Sequence, residues 1–168
     1  RWPTGLGFEH FYGFLGGETD QFEPTLYRGT TPVMRPPGDK YHLTEDMAEQ
    51  AIQWLRTRRA VTPGRPFFLY FATGATHAPL QVPREWIDRY RGQFSAGWDA
   101  LREQIFTRQK TLGVVPAETE LPPRPVELPA WDSLEPDQKK VADRLMETFA
   151  GFLAHADAPV GRLVDALR

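Results

Sequence analysis

The sequence contains no cysteine, which excludes a disulfide framework, a thiolate metal site and a cysteine nucleophile built from these residues. It also lacks any long basic run: 16 of its 20 basic residues are arginine, they are scattered, and the net charge is -2. Phosphate backbones and anionic lipid surfaces need clustered Lys and Arg, so neither nucleic acid nor a membrane is the expected partner. No apolar stretch approaches the length of a bilayer span, and the opening Arg1-Trp2-Pro3-Thr4-Gly5 has neither an initiator methionine nor the apolar core of a secretion signal. That opening reads as a cut edge. Histidines are few, at 10, 42, 77 and 155, and none pairs with another at His-x-His or His-x-x-x-His spacing. A metal site made from this chain alone is therefore not expected. Gly-x-Ser-x-Gly, Walker and dinucleotide-binding signatures are absent as well.

What is present is an ordinary globular composition, 168 residues with 40% hydrophobic and 25% charged, enough for one domain or a part of one. Its centre is Phe67-Phe68-Leu69-Tyr70-Phe71-Ala72, apolar without alternation, the pattern of a strand covered on both faces. A central buried strand is expected over about 66–72. It breaks into Thr73-Gly74-Ala75-Thr76-His77, after which Pro79 and Pro83 prevent the chain from continuing a sheet. Open α/β sheets bind ligands beyond the carboxyl ends of their strands, and His77 occupies that address. An imidazole there is placed to donate a hydrogen bond to an anion. His10, His42 and His155 read instead as surface or packing residues.

The flanking segments divide into helices and loops. Glycines and aromatics crowd residues 5–17, predicting a short strand and a tight loop. Residues 26–28 and 33–35 flank Gly29-Thr30-Thr31-Pro32 as a short hairpin. Thr44 is a candidate N-cap, Glu45 and Asp46 charge the first turn, and Met47, Ala48, Ala51, Ile52 and Leu55 recur at helical spacing, so a helix is expected over about 44–59. Pro83 opens a short helix to Tyr90. Ser95 caps another in which Trp98, Leu101, Ile105 and Leu112 share a face, with Gly113 ending it. Five prolines between 116 and 129 predict a surface loop. From Asp137 an apolar stripe, Val141, Leu145, Phe149, Phe152, Ala156, Val160, Leu163 and Leu167, predicts a long helix, kinked at Pro159. The expected class is α/β, helix-rich with one confident strand. A lone strand cannot form a sheet, so the missing strands are expected from outside this chain.

Three stretches together carry a resemblance: Gly7-Phe8-Glu9-His10-Phe11-Tyr12-Gly13-Phe14-Leu15-Gly16-Gly17-Glu18-Thr19, Thr76-His77-Ala78-Pro79-Leu80-Gln81-Val82-Pro83, and Ala154-His155-Ala156-Asp157 with Val160-Gly161-Arg162-Leu163-Val164-Asp165. They resemble the bacterial arylsulfatases, as do Tyr90-Arg91-Gly92 and Gly97-Trp98-Asp99-Ala100-Leu101-Arg102. The resemblance implies an alkaline-phosphatase-like α/β fold and cleavage of an aryl or other small organic sulfate ester. His77 matches the family's sulfate-binding histidine, and Glu18 and Thr19 are candidates for the substrate rim. It further implies a formylglycine nucleophile, made from the cysteine of Cys-x-Pro-x-Arg, and a divalent metal, usually calcium. Neither the cysteine motif nor the Asp-Asn metal ligands are among these residues. The expectation is therefore an internal segment, 1–168, of a single sulfatase catalytic domain, inactive by itself and partnered by the remainder of the sulfatase chain. The compartment stays open between bacterial cytoplasm and periplasm. Two other readings are compatible with the sequence: a phosphodiesterase or phosphonate hydrolase of the same superfamily, and a non-catalytic binding remnant.

Overall fold

The computed structural model describes residues 2–168. Three short strands, β1 (Tyr12–Gly13), β2 (Leu26–Arg28) and β3 (Thr31–Val33), form one antiparallel sheet in the order β1-β2-β3. The β2–β3 hairpin closes through Gly29, at φ +59°, and Thr30, with Arg28 opposite Thr31 and Leu26 opposite Val33. A two-residue hairpin turn requires positive φ, and glycine supplies it without steric cost. Four α-helices follow: α1 (Leu43–Val61), α2 (Arg84–Asp88), α3 (Gly97–Thr111) and α4 (Pro136–Asp165). A 3-10 turn at Pro3–Leu6 precedes β1, and a second at Trp131–Ser133 ends the proline-rich loop.

The core lies where α1 meets the sheet and α4. Leu26, Leu43 and Met47 form one buried cluster, flanked by Tyr12, Phe14, Val33 and Tyr41; Ile52, Leu55 and Leu163 form a second. Each buried aliphatic side chain of this kind stabilises the fold by roughly 1.5–3 kcal/mol. Ala156 and Phe152 bury the same face of α4 about two and three turns before Leu163. Gly151 lets the backbone of α2 reach that helix, since a Cβ at 151 would stand 2.8 Å from the Cα of Ile87. Glu147, buried, accepts the Gly92 N–H at 2.7 Å and an Arg144 guanidinium N–H at 2.6 Å, fixing the turn after α2 to α4.

The expected strand over 66–72 is corrected. No strand is assigned there; among the described residues nothing pairs with it, and Phe68 and Tyr70 are 75% and 72% exposed. Leu69 and Phe71 pack against the cluster of Ile52, Leu55 and Leu163, and Phe71 reaches the other cluster too. Side chains therefore alternate inward and outward, the period of an extended chain covered on one side only. A strand needs hydrogen-bonded neighbours to be one, and the three strands present lie in another sheet.

Helix termini also differ in detail. His42, not Thr44, caps α1: its Nδ1 accepts the Thr44 N–H at 3.3 Å, and the Thr44 hydroxyl turns to Thr73 instead. Ser95 does not cap α3; Ala96 occupies that position and the Ser95 hydroxyl donates to the Gly92 carbonyl. Glu135 and Gln138 form a reciprocal capping box at the start of α4, which runs through Pro159 as one assigned helix. The predicted apolar stripes are only half used. Ile105 on α3, Leu112 just past its end, and Val141, Leu145 and Phe149 on α4 are exposed. No helix of the described residues is long and apolar enough to cross a membrane.

Candidate functional site

Two loops meet at His77, and the start of α1 anchors the loop that carries it. The loop from Thr73 to Gln81 is anchored at its start by Thr73, whose hydroxyl meets that of Thr44 at 3.3 Å and accepts the Ala75 N–H at 2.8 Å. Gly74 makes a close approach: a Cβ there would sit 3.0 Å from Nε2 of Gln21 and 3.4 Å from the Phe14 ring. The His77 N–H donates to the Gly74 carbonyl at 3.0 Å, closing a tight turn, and the Ala75–Thr76 and Ala78–Pro79 peptide bonds on either side of the imidazole are cis.

His77 is exposed. Its Nδ1 donates to the Ala78 carbonyl at 2.8 Å, and Oε2 of Glu18 lies 3.6 Å from the same nitrogen. Its Nε2 has no hydrogen-bond partner among the described residues. With Nδ1–H committed to a carbonyl, a ring that also donates through Nε2 must carry both protons. Glu18 places a carboxylate beside the ring, a contact worth little while both side chains stand in solvent. The structure thus brings together His77 and Glu18, two of the three residues singled out from the sequence. Thr19, the third, is half-buried behind Glu18, its hydroxyl accepting the Thr25 N–H at 3.4 Å.

Gln81 stitches the two loops together. Its Oε1 accepts the Gln21 N–H at 2.8 Å, while its Nε2 donates to Oδ2 of Asp20 at 2.7 Å. The other oxygen of Asp20 accepts the N–H groups of Phe22 and Glu23, at 2.8 and 2.7 Å. These bonds, the Gln81 amide foremost, hold the Asp20 carboxyl below the usual range. Gln21 is buried and its carbonyl accepts the Leu43 N–H at 2.8 Å, tying the Glu18 loop to the start of α1. Sequence reasoning missed Gln81, because a glutamine between two prolines carries no spacing signal.

Behind the loops lie two buried histidines. The His42 and His155 rings are 4.1 Å apart, with Trp86 edge-on to His155 and Phe152 edge-on to His42. His42 donates from Nε2 to the Gln81 carbonyl at 3.1 Å, its tautomer set by the Thr44 N–H on Nδ1. His155 donates from Nε2 to Oε1 of Glu45 at 3.0 Å, leaving Nδ1 buried without a partner. Burial pushes the His42 pKa down to about 4, and burial lowers that of His155 as well, the Glu45 carboxylate only partly opposing it. Both are packing residues, as expected, and neither is at the surface. His10 packs against Trp54.

Among the described residues no group of three or more His, Asp or Glu side chains is placed to hold a metal ion. These residues do not fit the implied divalent metal as its ligands.

In overall architecture the chain matches an α/β domain of the alkaline-phosphatase-like class. The solved structure of Ps i-CgsB in complex with k-i-k-neocarrahexaose superposes with a TM-score of 0.57 and 21% identity, over 98% of this chain and 30% of that one. The sulfatase family model matches residues 3–168, and the chain belongs to the sulfatase family. It is 31% identical over 176 aligned residues to an arylsulfatase of Klebsiella aerogenes, covering 99% of this chain and 37% of the relative. It is 32% identical over 186 aligned residues to an uncharacterised sulfatase of Schizosaccharomyces pombe, covering 100% of this chain and 33% of the relative. The chain thus spans about a third of the length of these curated relatives.

Proposed function

We propose that this chain is the histidine-bearing internal segment of a sulfuric ester hydrolase that cleaves aryl or other small organic sulfates. The observation that carries the reading is the His77 imidazole, 65% exposed, whose Nδ1 donates to the Ala78 carbonyl with Glu18 beside it and whose Nε2 has no partner among the described residues. Nε2 donates a hydrogen bond to a sulfate or leaving-group oxygen, compensating the negative charge that grows there as the S–O bond breaks. Glu18 balances the imidazolium. Glu18 and Thr19 line the rim past which the organic part of the ester enters.

The formylglycine nucleophile and a divalent cation such as calcium come from the rest of the catalytic domain. When bound, the cation supplies charge neutralisation at the sulfate oxygens. One observation supports this division: the outward side chains of the 67–72 run, Phe68 and Tyr70, stand exposed where a sheet neighbour would cover them. Alone, the 168 residues have no turnover.

The test is to express the complete reading frame and assay a chromogenic aryl sulfate with and without chelator. Chelator-sensitive sulfate release is the expected result. A full-length protein that binds no aryl sulfate and releases no sulfate overturns the reading.

A further inference from the structure

We propose that Gln81 is a positioning residue: its side chain clasps the loop bearing Glu18 to the loop bearing His77 and so sets the spacing of that pair. The proposal rests on the reading of His77 given above. Glu18 and His77 are both exposed, and neither has a second side chain holding it. Their separation is therefore inherited from the loops beneath them. The hydrogen bonds that join those loops side to side run through Gln81, from its amide to Asp20 and from the Gln21 N–H to its carbonyl oxygen. Asp20 is two residues from Glu18, and Gln81 four from His77. Each anchor is itself held: Asp20 by the N–H groups of Phe22 and Glu23, Gln21 by Leu43, and the Gln81 backbone by His42 from the buried side. A glutamine amide fits because the clasp needs one donor for a carboxylate and one acceptor for a backbone N–H.

The direction of the amide–carboxylate bond supplies the test. Gln81→Glu puts a second carboxylate against Asp20 and breaks the clasp. Asp20→Asn combined with Gln81→Glu reverses donor and acceptor and re-forms it, while the remaining oxygen at position 20 still serves Phe22 and Glu23. Gln81→Met, close in length and uncharged, removes both hydrogen bonds without repulsion and stands in if the first variant does not fold.

Two readouts are taken on the complete enzyme: steady-state hydrolysis of a chromogenic aryl sulfate, and the His77 imidazole signal in 15N-histidine-labelled protein, assigned with His77→Ala. Gln81→Glu and Gln81→Met are expected to lower kcat/KM about tenfold, mostly in kcat, and to move the His77 signal; the double variant returns both to within about threefold of the parent and to its shift. Folded single variants with the parental signal and kcat overturn the proposal, as does a folded double variant that recovers neither. If the parent itself releases no sulfate, the sulfatase reading fails separately, and the imidazole signal still decides whether Gln81 sets the position of His77.

Discussion

The imidazole rings of His42 and His155, 113 residues apart in the chain, lie 4.1 Å apart in the core, immediately behind the loop that carries His77. Both are fully buried, and burial depresses both pKa values, that of His42 to about 4. A histidine whose folded pKa lies below its unfolded value near 6.5 contributes stability above that value, and the contribution is lost as pH falls toward the folded pKa. The melting temperature is therefore expected to drop between about pH 6.5 and 4. His42→Asn retains an acceptor for the Thr44 N–H and flattens that slope. A melting curve series at fixed ionic strength checks it, and an identical slope in the variant removes His42 as the cause.

His77→Ala in the complete enzyme is expected to lower kcat by about an order of magnitude or more, because the donor to the departing oxygen is gone. Thermal stability should hardly move, since the side chain is exposed and bonds only to Ala78 and Glu18. Unchanged turnover would take His77 out of the reaction.

Glu18→Gln keeps the size of the side chain and removes its charge. The expected effect is a several-fold fall in kcat/KM that differs between aryl sulfates of different bulk. Thr19→Val should act more weakly on KM, because the Thr19 hydroxyl already serves the Thr25 N–H. Equal kinetics for all substrates in both variants would assign the two residues to loop structure alone.

Gly151→Ala tests the α2–α4 contact. The added methyl would meet the Ile87 Cα at 2.8 Å and its N at 2.9 Å, backbone atoms that cannot step aside singly. Overpacking of this kind costs about 1–3 kcal/mol. A lowered melting temperature is expected, with the turn fixed by Glu147 and Gly92 disturbed. No loss of stability would mean that α2 slides along α4 without cost.

Much of the local structure was legible in the residues themselves. The long helices α1 and α4 follow from apolar spacing, and the β2–β3 hairpin from Gly29 between two apolar runs, because these patterns depend on contacts within a few residues. The placement of His77 after an extended apolar run was legible for the same reason. The run itself reads as buried on both sides, yet only Leu69 and Phe71 are covered; burial depends on what lies opposite, and a run of six apolar residues does not say how many neighbours it has. Exposed Val141 and Leu145 on α4 teach the same thing.

By itself, then, the sequence determined which segments are helical, where the chain turns, and that a histidine lies in the loop after the apolar run of 67–72, since these rest on backbone sterics and short-range periodicity. Only the tertiary structure decided that Glu18 meets His77, that Gln81 joins their loops, and that His42 rather than Thr44 caps α1 while sharing its pocket with His155. Such pairings join residues tens of positions apart. Their partners are selected by how the helices pack, and no local pattern of residue types records that choice.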